Sequence, residues 1–379
     1  MIPRTLFNET HDLFRQSTRQ FMETEVAPHH AEWEKAGMVP RELWKKAGEV
    51  GLLCPDAPEE FGGAGGDFLF NVIVAEELCR VGASGPGFTL HSDIVLPYLL
   101  HYGTPEQKER WIPPMIRGDI ITAIAMSEPN AGSDLQSIRT SAEPDGDGYI
   151  LNGSKTFITN GQLADLVIVV AKTDPSQGAH GTSLFLVESD AEGFSKGRNL
   201  EKLGLKAQDT SELFFENVKL GPEALLGPKN GGFMLLMQEL AQERLSVAVV
   251  AMAAAESAIR WTREYVRERE AFGRPLAKFQ NTRFKLAEVS TQLQVGRAFV
   301  DRCLELHLDK KLDIPTAAMA KLWSTEAQFE ITDVCMQLFG GYGYMTEYPI
   351  ARAWADARVQ KIYAGTSEIM KEIIARSIL

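Results

Sequence analysis

The chain lacks both of the glycine-rich motifs that most often bind nucleotides. No G-x-G-x-x-G follows a strand-like run, and no G-x-x-x-x-G-K-S/T occurs anywhere in the 379 residues. The glycine-rich stretch at 62–66 lacks the lysine of a phosphate loop, so we interpret it as a flexible loop. We therefore expect that any nucleotide cofactor binds outside the Rossmann and phosphate-loop schemes.

Cysteine and histidine are sparse and scattered, which argues against a metal centre or a disulfide framework. The adjacent His29 and His30 cannot face one site together, so we expect no metal and place both histidines at the surface. Without a C-x-x-C pair, widely spaced cysteines are typical of reduced thiols in a reducing compartment. The four cysteines are Cys54, Cys79, Cys303 and Cys335.

Basic stretches and long apolar runs are missing as well. The formal net charge is -12 and no arginine-rich stripe interrupts it, so we expect no nucleic-acid partner. No uninterrupted apolar run is long enough to span a bilayer, and the N-terminus has no apolar signal-peptide core. We expect no membrane span, and either a cytoplasmic protein or a processed mitochondrial matrix protein.

Hydrophobic periodicity divides the chain into three regions and predicts a multi-domain α+β fold. Residues 1–120 have the pattern of short helices, 121–230 that of strands, and 231–379 that of long helices with short connections. Strands without intervening helices favour a central antiparallel β-barrel or sandwich, and the last region favours a C-terminal four-helix-type bundle. The three regions are the predicted N-terminal helical, middle β and C-terminal bundle domains.

Local signals predict where some elements begin or turn. Thr10 is expected to cap the first helix. Thr104, with Gln107 three residues later, carries the signature of a capping box. Asn152-Gly153 is the strongest hairpin signal in the chain and predicts a turn between two strands.

A long helix is predicted over Gly231–Arg269, and its middle is apolar on every side. Such a helix is buried by its neighbours. Glu239 and Glu243 lie just ahead of the apolar run, where an unpaired buried charge is costly. Taken alone, these residues favour a solvent-facing Glu239 and an arginine partner for Glu243, with a catalytic base at Glu243 as the alternative.

Four polar or glycine-rich stretches contain candidate ligand-binding groups. Ala125–Ser137 offers hydroxyls and N–H groups for a polar ring edge or a phosphate, although a solvated turn has the same composition. Phe157–Gly161 adds a hydroxyl at another strand end. The glycines of Gln337–Asp356 allow close approach of a backbone, and Tyr363–Glu368 leaves N–H groups free ahead of the last helix.

Together these stretches make the chain similar to the acyl-CoA dehydrogenase family over essentially its full length. AMSEPNAGSD and QLFGGYGYMTEYPIARAWAD resemble the two signature patterns of that family, and REREAFG and GLKAQDTSELFFENVKL fit it as well. The resemblance implies a homotetrameric FAD enzyme that oxidises acyl-CoA thioesters to trans-2-enoyl-CoA in fatty-acid β-oxidation. It also implies an electron-transfer flavoprotein as the electron acceptor.

The resemblance carries over individual site residues. Those expected to hold the flavin ring are Ile124, Met126, Ser127, Ser133, Phe157 and Thr159. Those expected at the pyrophosphate and adenine arm are Arg269, Phe272 and Gln280, then Gln337, Gly340 and Gly341 from a neighbouring subunit, with Thr366 and Glu368 completing the site. Those expected to contact the substrate are Ser133, Ala179, His180, Arg244, Ala364 and Gly365.

One departure from the family pattern concerns the catalytic base. Most members carry a glutamate in a Y-E-G-T pattern, whereas this chain has Ala364, which cannot accept a proton. The long-chain and isovaleryl branches resemble this chain in that respect, and their base lies at a position that matches Glu243. The resemblance therefore makes Glu243 the predicted base, with a pKa raised by apolar surroundings, and Glu239 a surface residue.

The substrate prediction is a long-chain acyl-CoA, because the chain looks most similar to the long-chain branch. The helix around Ile94–Leu100 is expected to line a deep acyl pocket. A short branched-chain, isovaleryl-like acyl-CoA dehydrogenase is the alternative. Two other classes stay open: an acyl-CoA-binding scaffold without flavin chemistry, which would purify without colour, and an oxidase, which would release peroxide.

Overall fold

The computed structural model describes residues 2–379 and begins with a helical region. Two π-helical stretches, Met22–Val26 and Leu90–Val95, lie at the end of the first helix and ahead of the fifth. The α-helices of this region are α1 (Glu9–Phe21), α2 (His30–Ala36), α3 (Arg41–Glu49), α4 (Phe68–Val81), α5 (Leu96–Tyr102) and α6 (Pro105–Ile116).

The predicted capping box at the start of α6 is confirmed. The Thr104 hydroxyl accepts a hydrogen bond from Gln107 N–H, and the Gln107 side chain accepts one from Thr104 N–H. The predicted cap at Thr10 is wrong, because Asn8 begins α1 and its side-chain oxygen accepts from His11 N–H. Asparagine is among the strongest N-cap residues, so the helix starts two residues earlier.

The surface position predicted for His30 is wrong, whereas His29 is exposed as expected. The His30 Nε2 atom accepts hydrogen bonds from Ser84 N–H and Gly85 N–H at 3.1 Å each. Burial lowers the pKa of His30 to about 4, so the ring is a neutral acceptor that joins α2 to the loop after α4.

The middle region forms one eight-stranded sheet in the order β6-β7-β3-β2-β4-β5-β8, with β1 pairing on β4. Strands β4 and β5 are buried almost throughout and form the centre of its hydrophobic core. The strands are β1 (Thr122–Ala125), β2 (Ser141–Asp145), β3 (Gly148–Thr159), β4 (Leu166–Lys172), β5 (Thr182–Glu188), β6 (Phe194–Asn199), β7 (Thr210–Leu220) and β8 (Leu225–Leu226).

The sheet is mixed, not wholly antiparallel as the strand pattern predicted. Strand β1 runs parallel to β4, from the Thr122–Leu166 pair to the Ala125–Val169 pair. The chain between them makes the β2–β3 hairpin before it returns, so β4 enters the sheet in the same direction as β1. The other extended pairings are antiparallel.

The hairpin predicted at Asn152-Gly153 is wrong, because β3 continues through both residues. The turn lies earlier, where Asp145 pairs with Gly148 and Gly146 adopts a φ of 61°. Gly153 marks a register shift against β7, and a Cβ atom there would lie 2.5 Å from the hydroxyl of Thr140. The glycine therefore serves a bulge in a long strand.

The C-terminal region is a bundle of long helices, as predicted. Helix α7 lies at its centre and packs against α4, α8, α9 and α10. The helices are α7 (Gly232–Glu268), α8 (Gln280–Leu308), α9 (Ile314–Leu338), α10 (Pro349–Gln360) and α11 (Ser367–Ile378). A short hairpin of β9 (Glu270–Ala271) and β10 (Arg274–Pro275) follows α7.

Helix α7 also has the length and composition of a membrane-spanning helix, with a mean hydropathy of 1.2 in its most apolar window. In the described part of the chain, 2–379, it is the one helix with this property, and 72% of that window is buried inside the protein. The apolar faces are therefore covered by α4, α9 and their neighbours, as in a core helix. The division into domains at 120 and 230 stays a prediction.

Candidate active site

A cavity of about 520 Å³ lies between α4, the β-sheet and α7, and all three regions of the chain line it. This volume is typical of a site for a cofactor or a drug-sized ligand. Many of the residues predicted from the family resemblance lie on its wall. They are Ile124, Met126, Ser127, Ser133, Phe157, Thr159, Glu243, Arg244, Ala364 and Gly365.

Glu243 lies on α7 with its side chain buried at the cavity wall. The Tyr98 hydroxyl on α5 donates a hydrogen bond of 2.9 Å to Glu243 Oε1. Burial raises the pKa of Glu243 to about 7, and the Glu239 carboxylate adds to the rise, while Tyr98 and Arg244 oppose it. The carboxylate is therefore more basic than an exposed one, as the apolar surroundings predicted.

The surface position predicted for Glu239 is wrong. Glu239 is buried one helical turn before Glu243, and its Oε1 atom accepts a hydrogen bond of 2.6 Å from the Tyr102 hydroxyl and lies 2.8 Å from His101 Nδ1. The hydrogen bond between His101 and Glu239 raises the pKa of His101. Glu239 is not among the residues that line the cavity.

Arg244 is a buried cation next to Glu243 on α7. Its side chain lines the cavity, its Nε atom has no hydrogen-bond partner, and within residues 2–379 it forms no salt bridge. Burial lowers the pKa of Arg244, while the Glu243 carboxylate opposes that change. A buried guanidinium with free donors suits an acceptor on a bound ligand.

The turn before α11 presents backbone donors to the same cavity. Ala364 has a φ of 51°, and in the described chain its N–H has no hydrogen-bond partner. Lys321 on α9 is fully buried and donates a hydrogen bond of 2.7 Å to the carbonyl oxygen of Gly365, which holds the turn in place. Burial lowers the pKa of Lys321 to about 8, and Arg244 adds to the lowering.

The polar loop after β1 is held in place by a buried ion pair. Lys155 on β3 donates hydrogen bonds to Glu128 Oε1 at 2.8 Å and to the Met126 carbonyl oxygen at 3.0 Å. Glu128 also accepts from the backbone N–H groups of Arg139 and Thr140. The loop is therefore fixed at both ends, on either side of Ser133, and it is not merely a solvated turn.

Phe157 provides an aromatic platform in the cavity. The register between β3 and β7 shifts between Lys155 and Ile158, and Phe157 within this bulge has a φ of 61°. Its ring is 70% exposed although it lines the cavity. Bulges commonly re-aim a side chain next to an active site, and an open ring there suits stacking of a flat heterocycle.

The residues at this site fit FAD, the cofactor that the family resemblance implies. The hydroxyls of Ser127, Ser133 and Thr159 have no hydrogen-bond partner within residues 2–379 and lie beside the Phe157 ring in one cavity. Two buried amide oxygens on the same wall, in Gln328 and Gln360, are also unpaired. Buried polar groups without partners are rare in folded proteins, so the two glutamine amides indicate a site for a polar ligand. The three hydroxyls are more accessible and add donors and acceptors to that site.

The predicted residues for the pyrophosphate and adenine arm lie outside the cavity, on the protein surface. They are Arg269, Phe272, Gln280, Gln337, Gly340 and Gly341. The Arg269 guanidinium lies 5.6 Å from the Tyr342 ring centroid, so the segments around 269 and 341 share one surface. Thr366 and Glu368 were also predicted to complete this site. Thr366 caps α11, and Glu368 is exposed in the first turn of that helix.

The two predicted substrate residues Ala179 and His180 do not line the cavity. They lie in the short helical stretch Pro175–Gly181, which contacts α7 and the turn Leu135–Ser137 beside the cavity. Their role as substrate contacts stays a prediction.

Reasoning from the sequence missed Tyr98, Lys155 and Lys321. Tyr98 lies in the helix predicted to line an acyl pocket, and a tyrosine hydroxyl in such a place normally needs a partner, which was an available signal. Lys321 is a single lysine within the apolar stretch AAMAKLW, which is the corresponding signal for a buried cation. Lys155 lies among Asn, Gly, Ser and Thr, so the sequence carries no such signal there.

A buried carboxylate, an exposed aromatic ring and several polar groups line one cavity, and together they suit a flavin-dependent oxidoreductase. Three family models match the chain: acyl-CoA dehydrogenase N-terminal domain over residues 8–119, middle domain over 123–218 and C-terminal domain over 230–379. The chain belongs to the acyl-CoA dehydrogenase family. It is an FAD-dependent enzyme of fatty-acid β-oxidation that dehydrogenates acyl-CoA.

Individual relatives agree with the family assignment. The chain is 57% identical to a mitochondrial long-chain specific acyl-CoA dehydrogenase of Mus musculus, over 99% of this chain and 88% of that protein. It is 40% identical to a mitochondrial short-chain specific acyl-CoA dehydrogenase of Rattus norvegicus, over 98% and 90%. A crystal structure of an acyl-CoA dehydrogenase from Geobacillus kaustophilus is 50% identical, with a TM-score of 0.97 over 99% of this chain and 100% of that one.

Proposed function

We propose that the chain oxidises long-chain acyl-CoA thioesters to trans-2-enoyl-CoA, with Glu243 as the base that removes the α-proton. The observation that carries the proposal is the buried Glu243 carboxylate at the cavity wall, with Oε1 bonded to Tyr98. Its pKa of about 7, raised by burial, leaves it partly ionised at neutral pH and more basic than an exposed carboxylate.

The thioester carbonyl is proposed to bind at the turn before α11. Within residues 2–379 the Ala364 N–H has no hydrogen-bond partner, and Ala364 lines the same cavity as Glu243. A fixed N–H that donates to the carbonyl oxygen stabilises the negative charge that develops when the α-proton leaves, by roughly 3–4 kcal/mol in comparable sites. Arg244 on α7 is proposed to stabilise the same charge, since its guanidinium is buried and forms no salt bridge within residues 2–379.

The flavin ring is proposed to lie against Phe157, with Ser127, Ser133 and Thr159 at its polar edges. FAD, when bound, supplies the two-electron acceptor for the pair that leaves the β-carbon. The contribution of the chain is to hold the acyl group between that acceptor and Glu243 and to exclude water from the space between them.

Several observations support a long acyl chain. The cavity continues along apolar side chains of the π-helical stretch and α7: Leu90, Ile94, Phe233, Met237 and Leu240. The identity to the mouse long-chain specific enzyme, 57%, exceeds the 40% to the rat short-chain specific enzyme. Of the residues Ile94–Leu100 predicted to line the pocket, Ile94 lines the cavity and the other six do not.

We further propose a homotetramer that transfers its electrons to an electron-transfer flavoprotein, in the cytoplasm of a bacterium or in a mitochondrial matrix. Support for assembly comes from the surface formed by Arg269, Tyr342 and the exposed Gly340 and Gly341, which the family resemblance assigns to the cofactor's adenine arm. In one chain this surface is open and lies apart from the cavity.

A panel of acyl-CoA substrates tests the proposed function. Bleaching of the bound flavin should become faster, at equal low concentration, from butanoyl- through octanoyl- to dodecanoyl-CoA. Each buried CH₂ adds about 0.8 kcal/mol, which is about fourfold in binding, until the pocket ends. A preference for isovaleryl-CoA over dodecanoyl-CoA would favour the branched-chain alternative. A colourless protein would favour the scaffold, and rapid peroxide release without an added acceptor would favour the oxidase.

Arg269→Ala tests the shared cofactor site. We expect this variant to lose FAD and to dissociate into smaller species together, because the same surface is proposed to serve both. Flavin absorbance and sedimentation velocity measure the two effects on one sample. Arg263→Ala, at an exposed arginine near the end of α7, is the control and should keep both. A monomer that retains its flavin would contradict the shared site.

A further inference from the structure

Two tyrosines on α5 face two carboxylates on α7 in register. Tyr98 donates to Glu243 at 2.9 Å and Tyr102 donates to Glu239 at 2.6 Å. The two tyrosines are four residues apart on α5, and the two glutamates are four residues apart on α7. The two contacts therefore lie one helical turn apart. Tyr98 is fully buried, and Tyr102 lies nearer the surface beside His101.

We propose that Tyr98 is a positioning residue that fixes the Glu243 carboxylate and keeps it ionised for removal of the α-proton. The proposal rests on the proposed role of Glu243 as the base. Tyr98 binds Oε1, whereas Oε2 has no hydrogen-bond partner within residues 2–379. One oxygen is therefore held and the other is free, which is the arrangement that a buried base requires.

The hydroxyl of Tyr98 opposes two influences that protonate Glu243. Burial is the larger, and the Glu239 carboxylate on the same helix is the second; both raise the pKa of Glu243. Arg244 and the Tyr98 hydrogen bond lower it. Because Arg244 forms no salt bridge, the phenol is the only direct hydrogen-bond donor to this carboxylate in the described chain.

Tyr98→Phe tests the proposal through the pH profile. A hydrogen bond to an ionised carboxylate typically lowers the pKa of that carboxylate by about one to two units. We therefore expect the midpoint of the acid limb of flavin reduction to rise by that amount. The rate at neutral pH should fall roughly 5- to 50-fold and recover at high pH, with little change in KM. A purely structural role would lower the rate at every pH and leave the midpoint in place.

Tyr102→Phe is the matched control, because it removes a phenol hydroxyl from the same helix. That hydroxyl donates hydrogen bonds to Glu239 and Gln238 and not to Glu243. The midpoint of this variant should stay in place, because the Tyr102 hydroxyl does not contact Glu243. If Tyr98→Phe gives the Tyr102→Phe profile, the positioning role is refuted. Flavin content and thermal unfolding of both variants exclude misfolding as the cause.

Two further measurements distinguish a failure of the role of Tyr98 from a failure of the role of Glu243. An enzyme with 3-fluorotyrosine at position 98 keeps the ring and has a stronger donor, so its midpoint should move down; an unchanged midpoint would count against the proposal. Glu243→Gln in the same assay tests the underlying function. If Glu243→Gln is slow and Tyr98→Phe is unchanged, only the role of Tyr98 fails, whereas a fast Glu243→Gln would overturn the base itself.

Discussion

Glu243→Gln is expected to slow the reduction of bound flavin by acyl-CoA by ~10²–10⁴-fold, the usual cost of removing a positioned general base. Glutamine keeps the shape of the side chain and can still accept the hydrogen bond from Tyr98, but it cannot take the α-proton. FAD content and acyl-CoA binding should change little, because neither needs the charge. Stopped-flow absorbance with saturating dodecanoyl-CoA measures the effect.

Glu239→Gln is the matched control for that result. Glu239 is also buried on α7, one turn earlier, but it does not line the cavity and binds Tyr102 and His101. Its variant should keep most of the rate. If Glu243→Gln reduced flavin at nearly the normal rate, Glu243 would be eliminated as the base and Glu239 would be the next carboxylate to test.

The pH dependence of the wild-type enzyme follows from the same carboxylate. Glu243 must be ionised to accept a proton, and burial raises its pKa to about 7. The value of kcat/KM, which reports the free enzyme, should therefore be low below about pH 7 and rise as the pH increases through it. Glu243→Gln should lose this acid limb together with most of its rate.

Moving the base to the turn before α11 should restore part of the lost activity. Ala364 lines the same cavity as Glu243, and most of the family carries a glutamate there. The double change Glu243→Gly with Ala364→Glu should therefore reduce flavin faster than Glu243→Gly alone. Ala364→Glu by itself should slow the enzyme, because two carboxylates near one α-carbon raise the pKa of one of them.

Lys155→Met is expected to have the largest effect on stability. The Lys155 ammonium is fully buried against the Glu128 carboxylate at 2.8 Å, and its removal leaves Glu128 buried without its charge partner. Breaking such a pair typically costs ~3–5 kcal/mol of unfolding free energy. The loop that carries Ser127 and Ser133 should also loosen, because the bond to the Met126 carbonyl is lost, so FAD should dissociate more easily.

Urea unfolding and the flavin content after gel filtration measure these two effects. Lys285→Met is the control, since Lys285 pairs with Glu288 on an exposed face of α8. Exposed pairs contribute about 0–1 kcal/mol, so this variant should keep both its stability and its flavin. Equal stability losses in the two variants would contradict the structural role of Lys155.

The sequence predicts the helices well because their signals are local. The apolar stretch of α7 and the Thr104–Gln107 capping box depend on neighbouring residues alone, and both are confirmed. The hairpin at Asn152-Gly153 failed because the pairing of β3 with both β2 and β7 overrides a favourable turn sequence. The parallel β1–β4 pairing depends on contacts between residues distant in the chain, which no local pattern contains.

The same distinction explains the site. A carboxylate beside an apolar helix is unusual, but the residues alone favoured an arginine partner for Glu243, and only the family resemblance made it the predicted base. That role stays a prediction. The burial of Glu239 could not be predicted from the sequence, because its partners Tyr102 and His101 come from a helix distant in the chain. Tyr98 was missed for the same reason, since its partner is 145 residues away.

Exchange of the α-hydrogens is the measurement that tests the central claim most directly. A thioester with no hydrogen on its β-carbon, 3,3-dimethylbutanoyl-CoA, can lose an α-proton but cannot be dehydrogenated, so its exchange in D₂O isolates the base. By NMR, the wild-type enzyme should exchange the α-hydrogens at a rate that rises with pH through about 7. Glu243→Gln should exchange them at least about a hundredfold more slowly. Exchange at the wild-type rate in Glu243→Gln would contradict the account.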